Sequence, residues 1–521
     1  MKRLLIIFLT IAGLTSCLDD KGNYDYLDDT QFNKVTIEGL EDTYNVLDKI
    51  DHIQIEPQIT GTVFGDDDKN YEYQWHIHDG GEGGLEHNHI VISKEKNLDY
   101  LVNLGVGNYS LYLTVLDKST GIKTLASSSI KVITGINRGF LILGDNLATG
   151  EMGLDMVAMP SGRDTVMIEN VFDNSEKHLK GADRILYQGR RYNWTQSLWM
   201  CCDDGSFRMN NVEDISIVSE LNEYGMIETE FAHKTPMKVM DVFPHPVAYS
   251  NNRAGMYRGY LTEDMAFFNM VISGEYFSTP CNRLKASDET LFGIYPMAFC
   301  LGVYTSAQNC CILYNTDADK FMKINTPFGA TYCMALTDYA NDIFYWDQQK
   351  YDSARKLVWG GNSCSGSYGS SFAIVKDTEG KYYLYKFQCA TSSYAQPLKQ
   401  GCYEVDPDVA EHFDDATHYC AMGTGSLLLY AYGSTLYLYD YQYKTLLKRD
   451  MGAEITYLDY EFCSAGSRTS FIVATYSDSQ KGIVRKMDVG TDPNVLEILD
   501  REKEVWKTNL RVKDVEYKFA Y

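Results

Sequence analysis

A chain of 521 residues, 45% of them hydrophobic, is long enough for about two to four domains and apolar enough to pack their cores. Its 71 acidic residues outnumber 47 basic ones for a net charge of −24, a surface that repels phosphate backbones and disfavours nucleic acid as a partner. The 40 tyrosines beside only 11 prolines point to an all-β fold, because strands seat aromatic rings half in and half out of water.

The chain opens with Met1-Lys2-Arg3 and an apolar run from Leu4 to Gly13. A membrane-spanning helix needs roughly 20 apolar residues and a signal-peptide core about 7–15, so this run reads as a cleaved signal. It ends in Leu14-Thr15-Ser16-Cys17, an apolar residue, two small ones and a cysteine, the order of a lipobox. Residues 1–17 are therefore expected to be a lipoprotein signal peptide, with Cys17 the acylated, palmitate-bearing N-terminus of the mature chain. Residues 18–35 are acidic, polar and without periodicity, so they read as a flexible tether. Asp19 and Asp20 just after Cys17 resemble the surface-export signal of Bacteroidetes lipoproteins, which implies the cell-surface side of the outer membrane.

Residues 36–135 read as a β-sandwich. Period-two alternation marks strands at His52–Ile59, Tyr71–Ile77, Tyr109–Asp117 and Ser129–Ile133. Within this unit His76-x-His78 and His87-x-His89 flank the glycine-rich stretch Gly80 to Gly84. An H-x-H pair in a strand faces one side, so two pairs across a hairpin could surround one metal ion. A solvated hairpin tip is the competing reading and the one preferred from sequence, so no metal and no other cofactor is expected. The acidic runs Asp66-Asp67-Asp68 and Asn315 to Asp319 lack the distal glycine and glutamate of a calcium loop and read as turns.

An ordered set of residues in this first quarter resembles the PKD-like lipoprotein family of Bacteroidetes. The set comprises Asp20-Lys21-Gly22-Asn23-Tyr24-Asp25-Tyr26, Tyr73-x-Trp75, Lys96-Asn97-Leu98-Asp99-Tyr100, Gly107-x-Tyr109 and Val115-x-Asp117-Lys118-x-Thr120-Gly121. The resemblance implies that Trp75 fills the sandwich core. It also implies an accessory role beside starch-utilisation-type transporters, TonB-dependent channels with lipoprotein lids that import glycans or peptides.

Residues 136–521 change texture to short aromatic strands, and hairpins are expected across Asn315–Lys320, Asp377–Lys381 and Asp440–Lys444. An aromatic-Cys element recurs at Cys300, Cys333, Cys420 and Cys463; the last step is 43 residues and the one before it 87. Propeller blades repeat at roughly 40–50 residues, so a β-propeller of about seven or eight blades is expected, with tandem sandwiches as the alternative. The cysteines after Cys17 sit in apolar surroundings or as the adjacent pairs Cys201-Cys202 and Cys310-Cys311, and are expected to be mostly free thiols.

No nucleophile elbow, zinc-peptidase helix or phosphate loop occurs, so no catalytic residues are assigned. Trp194 and Trp199, beside Arg190-Arg191, are the candidate stacking platform for a sugar or peptide. The expected function is a surface-exposed, lipid-anchored binding or accessory protein of a nutrient-uptake system; a propeller hydrolase of glycans or peptides is the alternative.

Overall fold

The computed structural model describes residues 32–79, 89–160, 164–188, 197–210, 214–221, 227–243, 257–270, 276–300, 311–324, 332–364, 369–389, 397–462 and 468–519. Two compact units divide between Thr134 and Gly135.

In the first unit a five-stranded sheet has the order Thr43–Leu47, Lys123–Ile133, Gly107–Asp117, Tyr71–Asp79, His89–Ser93. The first of these pairs runs parallel and the other three antiparallel. Two strand pairs complete the sandwich: Val35–Glu38 with Gln58–Gly61, and His52–Ile55 with Leu98–Leu101. The sequence reads His52–Ile59 as one strand; it is two, broken at Glu56-Pro57, because proline has no N–H to continue a ladder. Period-two alternation sends Trp75, Ile77, Leu111, Leu113, Ile130 and Val132 inward against Ile53, Ile55, Ile59 and Leu98. Trp75 is wholly buried and its indole N–H donates to the carbonyls of Glu95 (3.1 Å) and Lys96 (3.2 Å), so the core loses no polar partner in taking it in.

The second unit holds seven antiparallel sheets among the described residues. The first comprises Gly139–Asn146, Glu151–Ala158 and Val166–Ile168, with Arg511–Lys518 added from the far end of the chain. The second runs Ala182–Gln188, Ser197–Cys202, Gly205–Met209, Ile217–Glu220, and the third Val239–Phe243, Tyr257–Thr262, Ala266–Met270. The fourth is Ile312–Asn315, Lys320–Ile324, Cys333–Ala335; the fifth is Arg355–Ser363, Ser370–Asp377, Tyr382–Gln388, Leu398–Glu404. His418–Ala421, Leu427–Tyr432, Thr435–Asp440 and Thr445–Asp450 form the sixth, and Glu454–Tyr460, Ser470–Ser477, Lys481–Val489 and Ile498–Thr508 the seventh.

Each sheet is buried on both faces because a separate apolar cluster joins it to the next. Leu141 and Leu154 meet Leu198 and Met200 between the first and second sheets. Trp199 meets Tyr260 and Phe267 between the second and third, and Phe268 meets Leu313 and Met322 between the third and fourth. Phe321 packs on Tyr385 and Phe387, Ile374 on Tyr430 and Tyr439, and Leu438 on Val473 and Met487, joining the fourth sheet through to the seventh. Ile472 and Trp506 of the seventh then meet Phe140 and Val515 of the first, so the series closes on itself. A closed ring of radial meanders is a β-propeller. The ring is latched by register Phe140↔Tyr517 and Ile142↔Val515, which pairs the second edge of Gly139–Asn146 with the last strand. Gly139 starts this strand at φ +148°, where a side chain would strike the Val157 carbonyl.

The hairpin turns follow one chemistry. The side-chain oxygen of Asn315 accepts from the amides of Asp317 (2.9 Å) and Ala318 (3.0 Å). Asp377 does the same for Glu379 (2.9 Å), and Asp440 for Gln442 and Tyr443 (2.9 Å each). These are Asx turns, which is why an Asn or Asp at the end of an aromatic strand marked each hairpin. The spacing differs from the expected 40–50 residues. First strands are 57 residues apart from Ala182 to Val239, 63 from Arg355 to His418 and 36 from His418 to Glu454. The aromatic-Cys recurrence is not a blade repeat either: Cys420 lies on a first strand and Cys333 on a last one. Only the packed sheets are constrained by their neighbours, so connections of unequal length dilute the period.

Among the described residues the cysteines are free thiols, all buried except the half-buried Cys402. Cys201 packs towards the third sheet and Cys202 towards the first, the opposite-face arrangement expected of neighbours in a strand.

Candidate functional site

Between the last strands of the fourth and fifth sheets, a cleft of about 530 Å³ is lined by Met334, Tyr339, Ile343, Trp346, Leu398 and Lys399, with Lys323, Thr337 and Asp342. Trp346 is its buried floor, whereas Tyr339 stands 69% exposed at the rim, flanked by exposed Met334, Ile343 and Leu398. The segment from Leu336 to Ala354, which follows the last strand of the fourth sheet, builds this site. The buried Asp338 carboxylate accepts from the amides of Trp346 (2.6 Å) and Asp347 (3.1 Å), folding the segment back on itself. Lys399 reaches over from the fifth sheet, its ammonium 2.8 Å from Asp338 and 2.6 Å from Asp342, above the rings of Phe344 and Trp346. Burial alone would raise the Asp338 pKa, but Lys399 and the two amides outweigh it and hold the carboxyl below its ordinary value. The same lysine, first, and the Tyr339 amide lower Asp342. An exposed ring beside fixed charges and hydrogen-bonding groups is what a sugar face or a peptide side chain needs.

The ring's first strands carry a second concentration of polar groups. Asp459, Glu461, Asp514 and Glu516 line a cavity of about 110 Å³ together with Tyr457 and Tyr460. Asp514 is half-buried at the cavity wall; desolvation there pushes its carboxyl up to about 7, against the pull of the Ile185 amide and Arg184. Its oxygens accept from Ile185 N–H (2.8 Å) and Val515 N–H (2.9 Å), so it straps the first sheet to the second. Asp459 also borders a cavity of about 270 Å³ with His418, Trp359 and Asn362. Ligand pockets run to roughly 300–1,000 Å³, which makes the smaller cavity too tight for a sugar ring.

The sequence-assigned residues divide. Cys17, His87 and Trp194 lie outside the described residues. Trp199 is not an exposed platform: it is wholly buried, edge-on to Tyr260 at 6.1 Å, because Ser197–Cys202 is an inner strand covered on both faces. Tyr339 is the exposed ring that Trp199 was expected to be, and its only signal in the sequence was a polar, turn-like stretch, Thr337 to Asn341.

His76, His78 and His89 do come together, on the solvent-facing side of the five-stranded sheet. His78 and His89 are paired directly across adjacent strands, and His76 lies one side-chain step along the same face. Ring centroids are 4.5 Å apart for His76–His89, 4.9 Å for His78–His89 and 5.3 Å for His76–His78. One nitrogen from each lies within 4.8 Å of the others. Tyr112, the register partner of His76 on the next strand, stacks on it at 5.3 Å and meets His78 edge-on at 5.1 Å. Burial first, then the charges of His89 and His78, lowers the His76 pKa. The buried Nδ1 of His76 has no hydrogen-bond partner of ordinary geometry, the Gln74 backbone being a marginal polar neighbour.

Sandwich, ring and cleft define an all-β protein of two units, a PKD-like N-terminal domain followed by a β-propeller. The model of the PKD-like family matches residues 17–181, so the match runs past the sandwich, covers the first three strands of the ring and stops at the threshold of the second sheet. Among curated proteins, none matches the chain in sequence. Among solved structures, the chain is similar to a quinonprotein alcohol dehydrogenase-like protein from Bacteroides thetaiotaomicron, at 10% identity and TM-score 0.38, over 92% of this chain and 99% of that one. It is also similar to the Cps50 (Swd1) β-propeller domain of Myceliophteria thermophila, at 9% identity and TM-score 0.35, over 67% and 98% of the two chains. The Nup133 β-propeller domain of Vanderwaltozyma polyspora aligns at 10% identity and TM-score 0.31, over 60% and 85%. Function is argued from the site, not from these likenesses.

Proposed function

We propose that this chain is a surface-exposed, lipid-anchored binding and accessory protein of an outer-membrane nutrient-uptake system, which captures a glycan or peptide and passes it to a TonB-dependent transporter with a lipoprotein lid. The observation that carries the binding role is the cleft beside Tyr339: an exposed ring, a Trp346 floor and a charged wall fixed by Asp338, Asp342 and Lys399. Anchoring through Cys17 and a tether over residues 18–35 would confine the protein to the membrane plane, where a raised effective concentration lets a modest interface suffice. The matching PKD-like family model supports the accessory role.

Purification of the tagged protein from its native membrane in mild detergent tests the partners: a co-purifying transporter and lid lipoprotein are expected. Titration of the purified protein with glycan and peptide libraries tests the ligand, with binding expected in one class and weakened by Tyr339→Ala. Recovery of the lipoprotein alone, with no ligand in either library, would refute the reading. One observation favours a second reading, a propeller hydrolase: Asp459 borders the larger cavity of about 270 Å³ beside His418 and Trp359, and also lines the small cavity that holds Asp514. Hydrolysis of a glycan or peptide that is lost in both Asp459→Asn and Asp514→Asn would establish that alternative.

A further inference from the structure

We infer that the outer face of the N-terminal sandwich is a transition-metal site in which His76, His78 and His89 bind a borderline divalent cation, zinc or copper. The inference is independent of the proposed uptake role. It rests on convergence. Two histidines two residues apart on Tyr71–Asp79 face the same way, and the register sets the third directly opposite one of them on His89–Ser93. The three candidate ligand nitrogens already lie within 4.8 Å of one another. A tetrahedral zinc with Zn–N bonds of about 2.0–2.1 Å places its ligands about 3.4 Å apart, so the nitrogens need close by little more than about 1 Å to reach that spacing. Imidazole donors without thiolate or carboxylate select zinc, copper or nickel over magnesium or calcium.

The surroundings fit a ligand set better than a solvated hairpin tip. His76 and His78 are half-buried rather than splayed into water, and Tyr112 braces both rings from the neighbouring strand. The buried Nδ1 of His76 lacks a partner of ordinary geometry, and a buried polar atom left unpaired costs about 1–3 kcal/mol. A cation would satisfy a ring nitrogen of each histidine at once.

The test uses the full-length protein in detergent, purified without a polyhistidine tag, and titrated with Zn²⁺ and with Cu²⁺ against a chromogenic chelator. One tight equivalent per chain is expected. His76→Ala, His78→Ala and His89→Ala should each weaken it by at least about tenfold, the low end of the loss seen even for partners outside the ligand sphere. His178→Ala, at an exposed histidine paired with Glu151, should bind as the wild type does. His89 is exposed, so its variant keeps the fold and circular dichroism should match. X-ray absorption of the loaded protein should count at least three nitrogen ligands from imidazole. Absence of a tight equivalent of either metal, or undiminished binding by His78→Ala and His89→Ala, would overturn the inference.

Discussion

Replacing Asp514 with asparagine should change how the stability of the ring depends on pH. In the folded protein this carboxyl is raised to about 7 by burial, against an ordinary value of 3.8. Below about pH 4 both the folded and unfolded states hold the proton, and the group's contribution is fully present. As pH rises the unfolded chain releases its proton first, so stability falls by about 1.4 kcal/mol per pH unit until the folded group also ionises near pH 7. A gap of about three pK units makes the loss about 4 kcal/mol. Asparagine carries no charge at any pH and keeps one oxygen for the Ile185 amide; losing the acceptor for Val515 N–H costs about 1 kcal/mol at every pH. The stability of Asp514→Asn relative to wild type should therefore rise by up to about 4 kcal/mol between pH 4 and pH 7.5. Lys518, lowered to about 8 by burial, changes stability with the opposite slope only above that pH, so it stays outside the window. Urea titrations of both proteins at half-unit pH steps measure the difference. A difference that is flat within about 1 kcal/mol, or that falls as pH rises, would refute the assignment of Asp514 as a desolvated, proton-holding strap.

Cys17→Ala should abolish acylation and release the protein from the membrane fraction; full retention of the variant would exclude the lipobox reading. Trp75→Ala should cost about 3–5 kcal/mol by opening the centre of the sandwich, measured by chemical denaturation of the full chain. Tyr339→Ala should weaken capture of the glycan or peptide by about 5–30-fold, equivalent to one or two kcal/mol, while leaving the denaturation midpoint unchanged because the ring is exposed. Burial raises Cys201 and Cys364 to about 12 and Cys202 to about 11, so these thiols should resist a disulfide reagent at pH 8 in the native protein and react on unfolding.

What the sequence made legible is what short-range chemistry dictates. Asn315, Asp377 and Asp440 announced their hairpins because an Asx side chain satisfies amides two and three residues on, a relation contained within one turn. His76-x-His78 announced a shared face because strand alternation has period two. The cleft was hidden because it depends on Asp342 meeting Lys399, 57 residues later, and no local pattern encodes that meeting. Trp199 misled for a different reason: its strand Ser-Leu-Trp-Met-Cys-Cys is apolar without alternation, the mark of a strand covered on both faces, and that mark outweighs the polar residues preceding it. The blade period was diluted by connections whose lengths packing does not restrain.

The latch between Gly139–Asn146 and Arg511–Lys518 also sets a timetable. The first sheet to be synthesised waits for the last strand, and the contact that completes it joins Gly139 to Lys518 across nearly the whole ring-forming sequence. Contacts of such long range slow folding, since loop closure precedes any reward from pairing. Until those final residues arrive, Phe140 and Ile142 remain uncovered and their strand keeps an open edge, the kind of surface that chaperones hold and aggregation seeds use. A chain truncated before Arg511 would keep that edge open, so loss of this one strand exposes the seam of the whole ring.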